Sequence, residues 1–222
     1  MDLPKNGMCR ADSIPRGEDE YENMLKMGLT GGIASGKSAV AAMLREMGFA
    51  VLEADTVAHK LLEPGQAAHD EVLREFGAEL ADASGKIDRK KLGTMVFADP
   101  AKLAKLNAII HPRVEEAILR QFAEWQRSEV RDAGFVEAAL LVEAGIAAKL
   151  DGLVVAYCRP EQQMERLRAR GMSEIEAKRR LAAQMPVEEK LKHATETIDC
   201  SGTLEKTRSQ VRALAAKVRK RA

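Results

Sequence analysis

The chain has 222 residues, enough for one α/β domain with a sizeable core but too few for two large domains. It carries 35 Lys and Arg against 34 Asp and Glu, so its overall charge does not predict a polyanionic partner such as nucleic acid. Its three cysteines are too scattered for a disulfide framework or a paired-thiol metal site, and free thiols suit a reducing cytoplasm. No stretch approaches the roughly 18 apolar residues that a membrane-spanning helix needs. We therefore expect a cytoplasmic protein that binds neither nucleic acid nor membrane.

The first 23 residues mix charges of both signs with Pro and Gly and lack the apolar stretch of a signal peptide. We expect them to form a disordered extension, with residues 24–222 as the folded domain. Met24 directly precedes the first apolar segment, so translation from Met24 would also give the expected folded domain, and the start stays open between Met1 and Met24.

Five short apolar segments alternate with helical patterns, and the first helix is expected from Lys37 to Met47. Alternating strands and helices predict right-handed βαβ crossovers and a parallel sheet covered on both faces, with ligands at the carboxyl ends of the strands. The fold class is therefore α/β, a three-layer sandwich around a five-stranded parallel sheet. The predicted strands are 25–30, 49–52, 135–142, 153–157 and 197–198.

Residues 56–131, between the second and third strands, are too many for a simple crossover. Turn signals at 63–65, 84–85 and 99–100 divide them into several helices. We interpret this region as a helical substrate-binding insertion on the sheet. After the fourth strand, Pro160 and Glu161 suit a helix N-terminus, and that helix is expected to run to about Arg170.

The strongest motif is GGIASGKS, from Gly31 to Ser38, which fits G-x-x-x-x-G-K-[ST] between a predicted strand and a predicted helix. In such a phosphate-binding loop (P-loop), backbone amides and the helix N-terminus point at the α- and β-phosphates. Lys37 would reach the β- and γ-phosphates, and Ser38 would ligate the Mg²⁺ that bridges them. A chance glycine-rich turn is the alternative, which the strand and helix context disfavours. The predicted ATP-binding residues of the loop are Gly32, Ala34, Ser35, Gly36, Lys37, Ser38 and Ala39.

A phosphate loop does not by itself distinguish a kinase from a GTPase switch, a motor or an ATP-gated binding protein. No N-K-x-D guanine signature follows the third predicted strand, which argues against a GTPase. A small-molecule kinase is the interpretation that remains best supported.

Six further segments follow in order: EADTVAHKLLEPG, GKIDRKKL, NAIIHPRV, ALLVEAG, RLRARGMSEIEAKRRLAAQM and TIDCSG. Together with the loop they resemble the dephospho-coenzyme A kinase family, over residues 24 to about 211. The resemblance implies a P-loop kinase fold of the nucleoside monophosphate kinase type. It implies transfer of the ATP γ-phosphoryl group to the ribose 3′-hydroxyl of dephospho-coenzyme A, with Mg²⁺, in the last step of coenzyme A biosynthesis. No obligate protein partner is evident.

Asp55 matches the second acidic residue of the family's D-A-D segment, and we expect it to end the second strand. A carboxylate there can accept the proton of the attacking hydroxyl, so Asp55 is a candidate general base and substrate contact. The alternative is an N-cap of the helix that begins near Thr56. Glu53 replaces the first Asp of the segment, which keeps the charge but leaves its contact open.

His111 and Pro112, preceded by Asn107, match the family's His-Pro segment, which the resemblance places beside the coenzyme-A-like substrate. Arg113 and Arg89 are candidates to pair with the pyrophosphate of this substrate. Glu143 is expected to close the third strand, where its carboxylate could orient magnesium-bound water. Without the resemblance, a single His is more often a structural hydrogen-bonding residue and a surface Arg is usually solvated. Ala139 stands where the family has Pro. The predicted substrate-binding residues are Asp55, Arg89, His111, Pro112, Arg113 and Glu143.

Arg166 and Arg170 lie four residues apart on one helical face, and Gly171 permits a turn before a second helix with Arg179 and Arg180. This resembles a kinase lid, here residues 163–186, whose arginines would neutralise charge on the transferred phosphoryl group. The alternative is an ordinary solvated charged hairpin.

Three departures from the family pattern concern the nucleotide. Cys200 stands near the expected adenine position, where the family usually has Asn. Ala34 and Ala39 replace a loop glycine and a hydroxyl, but both keep their backbone amides. The predicted catalytic residues are Lys37, Asp55, Arg166 and Arg170. Two alternatives stay open: another P-loop nucleotide or metabolite kinase, and a non-enzymatic ATP-responsive binding module.

Overall fold

The computed structural model of the chain describes residues 24–128 and 132–222. The predicted N-terminal extension, Cys9 and the last residues of the predicted insertion lie outside these ranges. Within them, no helix is both long enough and apolar enough to cross a bilayer.

Five parallel strands form one sheet in the order β2-β3-β1-β4-β5. The first strand is therefore the central one, since Leu25 pairs with Ala133 on one side and Met27 with Gly152 on the other. Met27 and Leu29 are fully buried because both faces of the sheet are covered. The five-stranded parallel sheet is confirmed. Its strands are β1 (Leu25–Thr30), β2 (Ala50–Glu53), β3 (Ala133–Glu137), β4 (Gly152–Tyr157) and β5 (Glu196–Asp199).

Helices cover the two faces of the sheet and add the predicted insertion and hairpin. They are α1 (Lys37–Glu46), α2 (Ala54–Leu61), α3 (His69–Phe76), α4 (Arg89–Phe97), α5 (Pro100–Arg127), α6 (Pro160–Ala169), α7 (Glu174–Ala182), α8 (Val187–Leu191) and α9 (Leu204–Arg221), with short 3₁₀ turns at Ala78–Leu80 and Ile146–Lys149. One apolar core joins the sheet to α1 and α9, through residues such as Val40 and Leu214. The other joins it to the insertion, through Ile118 and Phe122 of α5. The three-layer α/β architecture is thus confirmed.

The turn signals of the insertion correspond to real helix boundaries. Asp88 caps α4, because its carboxylate accepts hydrogen bonds from the backbone N–H groups of Lys90 and Lys91. Asp99 caps α5 in the same way, and Pro100 occupies the first helical position, where its missing N–H costs nothing. The insertion is helical, as predicted, although its first helix begins at Ala54 rather than near Thr56.

The predicted end of the third strand is wrong. The strand stops at Glu137, and after Ala138 donates a last bond to Leu29 O at 3.1 Å the chain turns away from the sheet. The residues that follow are apolar and therefore have the sequence pattern of a strand. They are apolar for another reason: Leu141 is fully buried in the core beneath the insertion. Glu143 therefore does not close the strand, and Glu137 does.

Candidate active site

The phosphate loop connects β1 to α1, as its motif requires. Gly36 is the N-cap of α1 with φ +107°, and a Cβ added there would lie 2.8 Å from Cys200 Cβ. A Cβ added to Gly31 would lie 2.2 Å from Ala156 O. Both positions therefore need glycine, for a positive φ (+155° at Gly31) and for the close approach of a neighbouring segment.

The loop forms the floor of a cleft of about 580 Å³ at the carboxyl edge of the sheet. The structure brings together in its wall all the predicted nucleotide-binding residues and all four predicted catalytic residues. The wall also contains residues that were not predicted from the sequence to bind the nucleotide: Ile33, Ala139, Gln184, Gly202, Leu204 and Thr207.

A buried carboxylate lies behind the loop. Glu137, only 5% exposed at the end of β3, accepts hydrogen bonds from Lys37 Nζ at 2.8 Å and Ser38 Oγ at 3.0 Å. It therefore neutralises the lysine and orients the serine hydroxyl that were predicted to bind phosphate and Mg²⁺. Sequence reasoning missed Glu137 because the strand was extended to Val142 and its closing acid was taken to be Glu143.

Asp55 is an exposed residue in the first turn of α2. It does not end β2, which stops at Glu53, and it is not the N-cap of α2, a position that Glu53 occupies. The N-cap interpretation is thus wrong. Glu53 pairs with Arg45 Nη2 at 2.8 Å and accepts from Thr56 Oγ1 at 3.2 Å, which gives this departure a structural contact. Asp55 lines the cleft.

A second cavity, of about 220 Å³, opens beside the cleft, and Asp55 lines both. Its wall is mostly apolar, with His59, Asn107 and His111 as its other polar residues. Burial lowers the pKa of His111 below its ordinary value of 6.5, so this imidazole is neutral at pH 7 and can accept or donate a hydrogen bond. The apolar members are Ala54, Ala58, Leu62, Leu106, Ile110, Val114, Ala138, Leu140, Leu141, Ala144 and Ile146.

Four predicted substrate-binding residues lie outside the walls of these two cavities. Arg113 is paired with Glu71 and donates to Ile109 O at 2.5 Å, so its charge is already engaged. Arg89 and Pro112 are exposed on α4 and α5. Glu143 pairs with Lys190 Nζ at 2.8 Å. Contacts from these four residues to a substrate stay a prediction.

The predicted lid contains the hairpin of α6 and α7, which turns at Gly171 with φ +79°. Arg166 donates to Ala34 O at 3.1 Å and to Cys200 O at 2.8 Å, so its guanidinium joins the phosphate loop to the segment after β5. Arg170 follows α6 as its C-cap and lines the cleft. Both arginines therefore line the cleft, which disfavours an ordinary solvated hairpin.

Two glutamines hold a single residue of the phosphate loop. Gln163 Nε2 donates to Ile33 O at 2.8 Å, and Gln184 Oε1 accepts from Ile33 N at 2.8 Å. One glutamine belongs to α6 and the other follows α7, so the hairpin is bonded to the loop at both of its ends. We call this arrangement the glutamine clamp.

The departures at Ala34 and Cys200 both have structural consequences. Among the described residues, Ala34 is the only non-glycine with a positive φ, +58°, and it packs with Leu167 and Ala177 in the small core of the hairpin. Cys200 is buried, and this burial raises the pKa of its thiol to about 11. Cys158 and Cys200 are free cysteines, as expected.

The sequence profile of a family described as "Dephospho-CoA kinase" matches residues 25–206. A curated protein named dephospho-CoA kinase from Symbiobacterium thermophilum is 45% identical over 188 residues, which cover 84% of this chain and 78% of the relative.

Two solved structures are also similar to the chain. The crystal structure of TT1252 from Thermus thermophilus has a TM-score of 0.75 at 35% identity, covering 89% of this chain and 99% of that one. Dephospho-CoA kinase from Campylobacter jejuni has a TM-score of 0.66 at 29% identity, covering 88% of this chain and 97% of that one. The family profile spans the hairpin, the second cavity and every residue that lines the cleft except Thr207.

Proposed function

The chain belongs to the dephospho-CoA kinase family, so it is a phosphotransferase that acts on dephospho-coenzyme A, and we propose that it uses ATP and Mg²⁺ to phosphorylate the ribose 3′-hydroxyl. The observation that carries this proposal is the pair of adjoining cavities that share Asp55. A kinase needs its donor phosphate and its acceptor hydroxyl to meet at one point while their remaining parts bind separately.

ATP would occupy the cleft of about 580 Å³, with its phosphates on the amides of the phosphate loop. Lys37 would transfer part of its interaction from Glu137 to the β- and γ-phosphates. The adenine would lie toward Cys200, Gly202, Leu204 and Thr207, which line the same cleft.

The residues present fit a magnesium ion bound with the nucleotide. Ser38 Oγ and the Glu137 carboxylate are hard oxygen donors 3.0 Å apart, the ligand type that Mg²⁺ prefers. Among the described residues, no group of three or more His, Cys, Asp or Glu is arranged to hold a metal. This agrees with an ion held largely by phosphates and water, which would supply charge neutralisation at the transferred group.

The acceptor would enter the apolar second cavity, with its hydroxyl at Asp55. An exposed carboxylate in this place can accept the proton that the hydroxyl loses as it attacks phosphorus. The neutral His111 would bind a neutral part of the acceptor by a hydrogen bond.

The hairpin of α6 and α7 would act as a lid. Arg170 lines the cleft and can neutralise charge on the phosphoryl group as it moves, while the hairpin excludes water that would otherwise hydrolyse ATP. Arg166 is held by two carbonyl groups, so it would serve first to fix the loop.

The direct test is to incubate the protein with ATP, Mg²⁺ and dephospho-coenzyme A and to locate new phosphate by mass spectrometry and phosphorus NMR. We expect one phosphate on the 3′-hydroxyl, and none with Lys37→Ala. Transfer to a nucleoside monophosphate but not to dephospho-coenzyme A would instead support another P-loop kinase. Tight ATP binding without transfer to any acceptor would support a binding module.

We also place this activity in the cytoplasm, without an obligate protein partner. Free buried thiols at Cys158 and Cys200 agree with a reducing compartment. Cell fractionation and the activity of the purified chain alone test both statements.

A further inference from the structure

A completely buried lysine lies next to the proposed lid. Lys190, in α8, has no solvent-exposed surface, yet it carries an ammonium group that is costly to remove from water. Its Nζ donates to Glu143 Oε1 at 2.8 Å and to Ala139 O at 2.5 Å. A buried charge of this kind persists only if the surrounding structure fixes its partners in place.

The first partner segment leads into the nucleotide cleft. Ala139 lines that cleft two residues after Glu137, the carboxylate that contacts Lys37 and Ser38. Its carbonyl oxygen also accepts a hydrogen bond from Thr30 Oγ1 at 3.2 Å, at the end of β1. Lys190 is thus hydrogen-bonded to the Ala139 carbonyl, which follows β3 and is also hydrogen-bonded to the last residue of β1.

The second partner segment leads to the exit of the hairpin. Glu143 Oε1, which pairs with Lys190, also accepts from Met185 N at 3.1 Å. Met185 is the neighbour of Gln184, whose side chain holds Ile33 of the phosphate loop. One carboxylate oxygen therefore connects the buried lysine to the C-terminal end of the hairpin.

We propose that Lys190 is a positioning residue for phosphoryl transfer, and that with Glu143 it fixes the hairpin exit to the segment after β3. The Lys190–Glu143 pair fixes the position of Gln184 against the phosphate loop. It also fixes the path of the chain after Glu137. Glu143 thereby has a role different from the substrate contact expected from sequence. The inference rests on the proposed function, because it concerns that reaction.

Replacing Lys190 by Met removes the charge and keeps most of the side-chain volume. We expect kcat for transfer to fall by roughly 10- to 100-fold, because a displacement of about 1 Å at a reacting centre can have an effect of that size. The KM for ATP should change less than about threefold, since the loop amides and Lys37 stay in place. ATP hydrolysis without acceptor should rise relative to transfer, because the hairpin no longer excludes water consistently.

A purely structural role is tested by the double variant Lys190→Met, Glu143→Leu. Replacing a buried ion pair by apolar side chains often restores stability. We expect the double variant to recover Tm while kcat stays low and the hydrolysis ratio stays high. Recovery of kcat together with Tm would overturn the proposal. The matched control is Lys192→Met, an exposed lysine in the same segment that pairs with Glu189, and it should match the wild type.

Hydrogen exchange on the wild-type protein gives a test that does not depend on the folding of any variant. The Met185 amide should be protected to a similar extent with and without a non-hydrolysable ATP analogue, because its bond to Glu143 belongs to the anchor. A large loss of protection on nucleotide binding would overturn the inference. Wild-type transfer activity in the same preparation separates this result from a failure of the proposed function.

Discussion

Asp55 offers the most direct mechanistic test at the scale of single residues. Asp55→Asn keeps the size of the side chain but removes its capacity to accept a proton, so kcat should fall by roughly 10² to 10⁴. The ATP affinity of this variant should stay near the wild-type value, since Asp55 contacts the acceptor. Lys37→Ala should instead lower both kcat and ATP affinity. Steady-state kinetics with melting curves check this. A folded Asp55→Asn variant with near-normal kcat would show that positioning and charge stabilisation suffice.

Ala34 tests the backbone of the phosphate loop. At φ +58° an alanine loses roughly 1–2 kcal/mol relative to its preferred regions, and a β-branched residue is less compatible still. Ala34→Val should therefore destabilise the protein by more than about 2 kcal/mol. Ala34→Gly should change stability by less than about 1 kcal/mol, because relief of strain is offset by chain entropy and by the lost methyl contact.

Urea denaturation measures both effects at position 34. Ala42→Val, an exposed position within α1, is the control for introducing a β-branched residue into ordinary helical backbone, where the cost is below about 0.7 kcal/mol. Equal losses at positions 34 and 42 would contradict the left-handed conformation.

His111 and His69 predict opposite contributions to the pH dependence of stability. Burial lowers the pKa of His111, so the unfolded state binds more protons, and stability falls as pH decreases below about 6.5. The hydrogen bond to Asp70, followed by that to Gly85 O, raises the pKa of His69. Its contribution is fully present below about 6.5 and is lost as pH rises through the folded pKa.

Unfolding free energies of wild type, His111→Asn and His69→Asn between pH 5 and 8 separate the two histidines. His111→Asn should flatten the acid side of the profile only, and His69→Asn the side above 6.5 only. Identical pH slopes in all three proteins would show that neither histidine controls stability.

At the scale of elements, the glutamine clamp predicts how firmly the hairpin is held. The double variant Gln163→Ala, Gln184→Ala removes both side-chain bonds to Ile33, each worth about 0.5–1.5 kcal/mol. Since Arg166 still bonds to Ala34 O, Tm should fall only modestly. Trypsin cleavage at arginines of the hairpin, such as Arg168, should become several-fold faster as it opens locally. An unchanged cleavage rate would mean that the clamp does not restrain the hairpin.

Elements with strong local signals were predictable from sequence. The phosphate loop and α1 followed from one motif, and the break between α4 and α5 from the turn signal at residues 99–100. The end of β3 was not predictable, because an apolar run leaving the sheet has the same local pattern as one that continues it. Because the end of β3 was predicted too late in the chain, Glu143 was taken as its closing acid instead of Glu137, which contacts Lys37. The glutamine clamp was equally hidden, since its partners are distant in sequence.

At the scale of the whole molecule, stability depends on two cores that lie on opposite faces of the sheet. Leu214 of α9 is 2% exposed in the core that also contains α1. Leu214→Ala should cost about 2–5 kcal/mol and lower Tm clearly. The KM for ATP at a temperature where the variant is folded should be unchanged, because Leu214 does not line the cleft.

Leu119→Ala, at a 40% exposed position of α5, is the control and should have a much smaller effect on Tm. Similar losses for the two variants would contradict the assignment of Leu214 to a tightly packed core. The strand order that gives α9 a place beside β5 needed the structure.

The central position of β1 has a consequence for how the chain is made. Both neighbours of β1 are translated long after it, since Leu25 pairs with Ala133 and Met27 with Gly152. A ribosome that adds about 5–20 residues per second leaves this apolar strand unpaired for several seconds. Contacts so distant in sequence also slow folding. During synthesis the nascent chain therefore exposes its central strand, and chaperone binding there would protect it from aggregation until β3 emerges.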